Sequence, residues 1–222
     1  MKNIIKLLAF VPFLISCGDD DADFRRNGCV VGSGNTTTET RTVDPFHSIN
    51  ASMVGDIFIT QGSPQELRIV THPLVLTVIE TEVVNEELFI DFEDCVDELE
   101  TLDIFITTPD IQSISFSGVG SVTSLNDFDL AELRVNQSGV GNIMLSGEVT
   151  DFHYIMSGVS DLRAFDLITT TSDIILSGVG NVEITALEEL DVIISGLGDV
   201  SYKGDPIINS TISGTGNLID SN

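Results

Sequence analysis

A six-residue motif recurs through the second half of the chain and constrains the fold more than any other feature. Its first clear copy is Ser117–Val122 (SGVGSV), and the first serines of six successive copies lie 18 to 21 residues apart. Such regular spacing indicates a protein built from short, stacked structural units. The motif positions expected to form corners and a candidate ligand surface are Ser117, Gly118, Gly120, Ser138, Gly139, Gly141, Asn142, Ser157, Gly158, Asp161, Ser177, Gly178, Gly180, Asn181, Ser195, Gly196, Gly198, Asp199, Ser213, Gly214, Gly216 and Asn217.

The residues around each copy alternate between apolar and polar, as in β-strands with one buried face. Apolar side chains occupy most positions one and three before the serine, such as Ile114 and Phe116, and the sixth motif residue is always Val, Ile or Leu. The two glycines allow a sharp bend between strands and would break a helix. We therefore predict an all-β chain in which each repeat is a strand, a glycine corner and a second strand.

Units of this length bury an apolar face only by stacking, so the repeats predict a parallel β-helix of about seven coils, including a divergent copy at residues 52–57. Successive coils of such a fold lie about 4.8 Å apart, with equivalent residues stacked. We expect the third motif residue to form an inward row and the fifth a polar ladder in which Asn separates Asp carboxylates. The inward row would be Val119, Val140, Val159, Val179 and Leu197, and the polar ladder Asn142, Asp161, Asn181, Asp199 and Asn217.

Residues 36–112 alternate less regularly. Strand patterns include residues 56–61 and 102–107, and the polar residues between Val84 and Leu88 indicate a hairpin turn. We expect this part to form irregular first coils that cover one end of the core. The solenoid domain is accordingly predicted over residues 36–222.

The first 16 residues are predicted to be a signal peptide. Their apolar stretch, from Ile4 to Ile15, follows a basic start and is too short to span a bilayer, which takes about 20 residues. It ends in Leu-Ile-Ser-Cys, which resembles the lipobox of bacterial lipoproteins. Cys17 is therefore the predicted lipidation site, with an ordinary signal peptide as the alternative, and residues 17–35 are predicted to be a flexible acidic and Gly-rich tether.

Four aspartates, Asp19, Asp20, Asp21 and Asp23, follow the predicted lipid anchor. Some Gram-negative bacteria use acidic residues at this position to send lipoproteins to the outer face of the outer membrane. The resemblance implies a surface-facing outer-membrane lipoprotein, with a periplasm-facing lipoprotein as the alternative.

The chain is strongly acidic, with a formal net charge of −26. Removal of residues 1–16 takes away Lys2 and Lys6 and no acid, so two positive charges are lost and the net charge becomes −28. Such a surface repels nucleic acid and anionic lipid headgroups. The sequence therefore predicts no nucleic-acid partner, and attachment to a membrane only through the lipid.

Two cysteines, Cys29 and Cys95, remain once Cys17 carries the lipid. A disulfide between them would close a loop of about 66 residues and stabilise the fold by roughly 4 kcal/mol in the chain-entropy model; two free thiols are the alternative. The histidines are scattered, and no Cys/His cluster has zinc-site spacing. No metal or cofactor is predicted.

These features together resemble the putative auto-transporter adhesin head GIN domain family of bacterial envelope proteins. The resemblance covers about residues 31–219 and is carried by residues 32–35 (GSGN), 46–49 (FHSI), 55–62 (GDIFITQG) and the serial Ser-Gly-x-Gly-Asn/Asp copies. It implies a right-handed parallel β-helix of the pectin-lyase type and a role in adhesion or surface binding, with no established catalytic residues. The chain departs from the pattern at Met53, Ser121 and Ser160.

Two classes of function suit this fold: non-enzymatic binding of a glycan or protein ligand, and cleavage of polysaccharides by a lyase or hydrolase. Lyases of this type typically use a Lys or Arg base, and the coils offer only Arg134, Arg163 and Lys203. A hydrolase needs a carboxylate pair, and no motif marks one. We therefore expect a binding or scaffolding protein without catalytic residues. The last repeat ends close to Asn222, which leaves strand edges that suggest homo-oligomers.

Overall fold

The computed structural model describes residues 25–26 and 28–222. The predicted signal peptide, Cys17 and most of the tether lie outside the described residues. The described residues form a solenoid of stacked β-coils, which confirms the predicted fold class. The solenoid has about five turns rather than the seven expected, because hairpins interrupt the chain between the divergent motif copy at residues 52–57 and the regular copies.

The N-terminal region contains ten strands and one turn of 3-10 helix, η1, among the described residues. They are β1 (Arg25–Arg26), β2 (Cys29–Val31), β3 (Thr37–Arg41), β4 (Ser48–Ala51), β5 (Asp56–Gln61), β6 (Glu66–Thr71), η1 (Val75–Thr77), β7 (Ile79–Val84), β8 (Glu87–Phe92), β9 (Val96–Asp97) and β10 (Leu102–Thr108).

The repeat region follows, and its longest strands continue around the corners of the solenoid. Its strands are β11 (Ser113–Phe116), β12 (Val122–Ser124), β13 (Phe128–Gln137), β14 (Val140–Met144), β15 (Gly147–Met156), β16 (Val159–Leu176), β17 (Val182–Ile194), β18 (Val200–Lys203), β19 (Ile207–Ile212) and β20 (Leu218–Asp220).

Two long ladders run along the solenoid, one on each side of the glycine corners. Sheet 1 holds the segments before the corners, in the order β8–β4–β11–β13–β15–β16–β17–β19, and every neighbouring pair is parallel. Sheet 2 holds the segments after the corners and runs from β5 through β12, β14, β16, β17 and β18 to β20, again with parallel pairs. A parallel ladder of this kind needs the chain to return to the same side once per coil.

The N-terminal region closes one end of the solenoid with antiparallel pairs. Strand β6 pairs antiparallel with β3 and β10, and β7 pairs antiparallel with β8. The predicted turn before Leu88 is confirmed: Asn85 and Glu86, both at positive φ, join β7 to β8. The region therefore covers one end of the core, as expected, but does so with hairpins rather than with wider coils.

A small sheet attaches the beginning of the described chain to this closed end. Strand β2 pairs with β1 and β9, and a disulfide joins Cys29 to Cys95 with the two Cα atoms 4.8 Å apart. Residues 29–31, which the sequence analysis placed in the flexible tether, are thus part of the folded domain. The described chain enters the solenoid at the end opposite β20.

The core lies between the sheets and repeats from coil to coil. Residues one and three before each serine are buried in the coils from β11 to β17, and Val122, Ile143, Leu162, Val182 and Val200 after the corners are fully buried. Burial of each large apolar side chain in this set contributes about 1.5–3 kcal/mol. The last coil differs, because all six residues of β19 are exposed.

Candidate functional site

The glycine corners lie in one continuous row between sheets 1 and 2. Parallel backbone bridges join the third motif residue of each coil to that of the next, from Val54 through Val119 and onward to Thr215. The backbone bonds are regular: Val140 N donates to the Gly118 carbonyl and Gly120 N to the Val140 carbonyl, both at 2.9 Å. The predicted stacking of corners is therefore confirmed.

Glycine occupies most of these corner positions because neighbouring coils approach too closely for a side chain. A Cβ atom built on Gly139 would overlap the Gly118 carbonyl oxygen of the preceding coil, and one built on Gly141 would overlap the Gly120 carbonyl oxygen. Gly141 also has a φ of +146°, a conformation that residues with a side chain rarely adopt. Both motif glycines thus serve the stacking itself.

The third motif residues point into solvent, so the prediction of an inward valine row is wrong. Side chains alternate in and out along the strand, and this alternation continues around the corner. The residue before the serine is buried, so the two glycines take the next inward positions and the residue between them faces outward. We call these exposed side chains the corner ridge: Val119 at 49%, Val140 at 49%, Val159 at 53%, Val179 at 44% and Leu197 at 52% exposure.

The fifth motif residues form the predicted polar ladder, and backbone N–H groups donate hydrogen bonds to their side-chain oxygens. The Asp161 carboxylate accepts the backbone N–H of Asn181 at 2.8 Å, and the Asn181 amide oxygen accepts that of Asp199 at 3.0 Å. Asp199 accepts both the backbone and side-chain N–H groups of Asn217. One side-chain oxygen of each of Asp161, Asn181 and Asp199 therefore accepts a backbone N–H from the next coil, and Asn181 separates the two Asp carboxylates.

Beside the corner ridge runs a shallow groove of about 630 Å³. We call it the corner groove; the first motif glycines and ridge side chains of five coils line it, together with the corner serines of four of them. The serine hydroxyls face solvent, and Ser195 Oγ lies 3.3 Å from Ser177 Oγ. The groove thus offers hydroxyl groups and aliphatic surface repeated once per coil, and its lining supplies no acid, base or thiol for catalysis.

The structure gives local contacts for two of the three departures from the motif, Ser121 and Ser160. Met53 belongs to the first corner of the described row, and Ser121 donates its N–H and hydroxyl to Asp56, each at 2.7 Å. Ser160 replaces a glycine and is buried beside Tyr154. Burial raises the pKa of the Tyr154 hydroxyl; the Ser160 hydroxyl lowers it and the Asp161 carboxylate raises it further.

Sequence reasoning missed a second feature, on the outer face of sheet 1. The residue two before the corner serine faces outward, and in three consecutive coils it is Ile155, Ile175 and Ile193. The flanking coils carry Asn136 and Thr211 at that position. Applying the same alternation to the outward positions would have revealed this apolar interruption.

Known proteins share features of this sequence and fold. The model of the family described as putative auto-transporter adhesin, head GIN domain, matches residues 45–206, which include all the hairpins from β5 onward and the corners up to Leu197. The chain belongs to this family. A comparison with curated proteins found no match.

Solved structures share the fold. A putative adhesin from Bacteroides fragilis is 26% identical, with a TM-score of 0.73 over 85% of this chain and 98% of the other. Two more distant structures show the fold alone. They are a putative adhesin from Parabacteroides merdae, at 17% identity, a TM-score of 0.50 and coverage of 86% and 99%, and a putative lipid binding protein from Parabacteroides distasonis, at 18% identity, 0.51, and 86% and 100%.

In the part of the chain that the structure describes, no helix is long and apolar enough to cross a membrane. No group of three or more His, Cys, Asp or Glu side chains is arranged to hold a metal ion in residues 28–222.

Proposed function

We propose that this chain is a non-enzymatic binding protein of the bacterial cell envelope, anchored by a lipid on Cys17, whose corner groove holds an extended neutral glycan. The observation that carries the proposal is the uninterrupted row of half-exposed aliphatic side chains beside serine hydroxyls. Membership in a family described as adhesins supports a binding role. Contiguous exposed apolar surface of this kind commonly marks an interaction site.

The groove favours a linear polymer because its chemistry repeats at the coil spacing of about 4.8 Å. Each coil presents the same serine hydroxyl and the same aliphatic side chain, so one sugar unit after another can make equivalent contacts. A compact ligand would use only one or two of these equivalent positions. The repetition therefore supports an extended ligand that lies along the solenoid axis.

The net charge of the chain indicates which kind of polymer the groove can bind. The formal net charge of −26 opposes the approach of anionic polysaccharides. The groove lining itself carries only serine, glycine, valine and leucine, which suit the hydroxyl groups and C–H faces of neutral sugars. A neutral glycan is thus the ligand that the surface accommodates best.

The proposed anchor suits this arrangement. The chain enters the solenoid at the end opposite β20, so a lipid on Cys17 would leave the groove free along its length. We propose the outer face of the outer membrane as the location, on the strength of the acidic residues after Cys17. Replacing Cys17 by serine should remove lipid labelling and membrane association, and protease treatment of intact cells should degrade the wild-type protein.

Binding can be tested with the chain carrying Cys17→Ser, immobilised and exposed to mannan, a soluble β-glucan and anionic alginate. We expect a neutral glycan to bind and the double variant Val159→Asn/Val179→Asn to bind it at least about tenfold more weakly, because each substitution removes exposed aliphatic contact. Val84→Asn is the matched control, since Val84 is 41% exposed on the N-terminal hairpin.

Three results would overturn the proposal. The first is equal glycan binding by the groove double variant and the wild type. The second is binding only to vesicles of phosphatidylcholine, which would indicate the lipid ligand suggested by the Parabacteroides distasonis relative. The third is cleavage of a glycan that stops when a carboxylate pair is neutralised, which would establish the polysaccharide-active alternative.

A further inference from the structure

The outer face of sheet 1 carries an apolar strip that is confined to the central coils. Ile155 is 43% exposed and Ile193 is 45% exposed, with the half-buried Ile175 between them. The same outward position is Asn136 in the coil before and Thr211 in the coil after. A strip bounded by polar residues at both ends is a delimited surface rather than a general property of the sheet.

A row of charged side chains lies beside this strip, two residues earlier on each strand. In coil order it runs Arg134, His153, Asp173 and Asp191, so that the two basic groups precede the two acidic ones. His153 Nδ1 lies 2.7 Å from an Asp173 carboxylate oxygen. Together with the isoleucines these groups line a concavity of about 330 Å³.

We infer that this face binds a second copy of the chain, with the two solenoids side by side and antiparallel. A two-fold axis parallel to the strands, passing between the His153 and Asp173 coils, places each row against its own copy in reversed coil order. Arg134 then lies opposite the partner's Asp191, and His153 opposite the partner's Asp173. The isoleucine strips then overlap in part, with Ile155 opposite the partner's Ile175 and Ile193 opposite the partner's Asn136.

The order of charges selects this arrangement. A row that is basic at one end and acidic at the other complements itself only when reversed, as an isologous two-fold interface requires. A parallel arrangement in register would place Arg134 against a second arginine and Asp191 against a second aspartate. Like charges brought together in an interface are strongly unfavourable.

A second copy is a better occupant than an unrelated basic or acidic partner. The row itself carries two basic and two acidic groups, and Arg134 is one of the seven Lys and Arg residues beyond Ser16. Arg134 also contacts Glu132 at 2.5 Å and is 59% exposed, so its remaining donors are open to a partner carboxylate. Glu132, Asp151 and Glu189, on the next outward row, mark the acidic margin of the surface.

The pairing has a consequence that rests on the proposed lipid anchor. Because the chain enters each solenoid at the end opposite β20, an antiparallel pair carries its two tethers at opposite ends. Two copies held in two facing membranes would therefore meet in this geometry. The face thus provides a means of attachment between cells that does not use the corner groove.

Charge reversal tests the inference directly. Arg134→Glu makes both ends of the row acidic, and Asp191→Arg makes both ends basic, so each variant repels itself while the two attract each other. Association can be measured by sedimentation velocity at physiological salt, with every protein carrying Cys17→Ser. The chain without a further change should associate, and each single variant should lose at least about tenfold in the association constant. The equimolar mixture of the two variants and the double variant should both recover association.

Matched controls change the same charges elsewhere. Arg163→Glu and Asp166→Arg alter exposed residues away from this face and should leave association unchanged. Ile155→Asn should weaken association while keeping the fold, because Asn136 occupies the equivalent position one coil earlier. A wild type that stays monomeric at high concentration, or a mixture no more associated than its components, would overturn the inference. Glycan binding is a separate measurement, so its failure would leave this result standing.

Discussion

The two regions of the solenoid are stabilised by different contacts. The N-terminal region, residues 25–108, uses antiparallel hairpins and a disulfide that joins Cys29 to Cys95. The repeat region, residues 113–220, uses parallel stacking, a polar ladder and glycine corners. The comparison teaches that regular repetition gives close contact between coils but leaves little tolerance at each repeated position.

The sharpest test of that difference is a glycine substitution in each region. Gly178→Ala should lower the free energy of unfolding by at least about 4 kcal/mol, because the added Cβ would overlap the Gly158 carbonyl oxygen of the preceding coil. Gly62→Ala should cost less than about 1 kcal/mol, since the nearest atom to its Cβ lies at 3.6 Å. Urea unfolding followed by circular dichroism compares the two, and equal losses would contradict the proposed reason for the corner glycines.

Removal of the disulfide should destabilise the N-terminal region. The double variant Cys29→Ser/Cys95→Ser is expected to lower the free energy of unfolding by roughly 2–4 kcal/mol, because the closed loop spans 66 residues. Hydrogen exchange should quicken mainly in β2 and β9, with the repeat region much less affected. A uniform loss of protection along the chain would show that the two regions unfold as one unit.

A buried amide distinguishes one coil from the rest of the repeat region. Gln137 is 1% exposed in a row whose other buried members, among them Phe116, Met156 and Leu176, are apolar, and neither amide atom has a hydrogen-bond partner among the described residues. Gln137→Met should raise the free energy of unfolding by about 1–3 kcal/mol, because an unsatisfied polar group is replaced by an apolar one of similar size. Asn136→Met, on the outward side, should change it by no more than about 0.5 kcal/mol.

The smallest effect concerns a carboxylate pair in the N-terminal region. Burial, with Asp56 as a second cause, raises the pKa of Asp103 above 3.8. The folded state therefore holds this proton more tightly than the unfolded state, so stability falls as pH rises through the raised pKa. Asp103→Asn should be slightly more stable than wild type at pH 7, with the gain shrinking below pH 3.8. Denaturation at both pH values, with Asp166→Asn as a control for charge, measures the difference.

Much of the repeat region could be predicted because its sequence pattern is periodic. The alternation around Ser117 and its later equivalents gives strands, buried residues and corners, and the stacked Asn and Asp residues follow from equal spacing. The direction of the corner ridge was predicted wrongly, because apolar character alone suggested burial for Val140. Counting the alternation through the two glycines gives the outward direction.

Less of the fold of the N-terminal region could be predicted from the sequence. The hairpin turn at Asn85 and Glu86 has a local signal, but the pairing of β8 with β4 in sheet 1 does not. That contact joins residues far apart in sequence, and nothing in the strand pattern distinguishes it from other pairings. The predicted turn count was too high because every motif copy, including the divergent one at residues 52–57, was counted as a full coil, whereas hairpins follow that copy.

The sequence by itself determined that the chain is a stack of glycine-cornered β-coils, because a short unit with one apolar face and no room for a helix can be stable only against copies of itself. Only the tertiary structure decided which side chains face solvent at the corners, how the closed end is built, and that Arg134, His153, Asp173 and Asp191 form a single row. The physical reason is that periodicity fixes contacts between neighbouring coils, whereas the phase of the chain around a corner and the pairing of distant strands depend on packing in three dimensions.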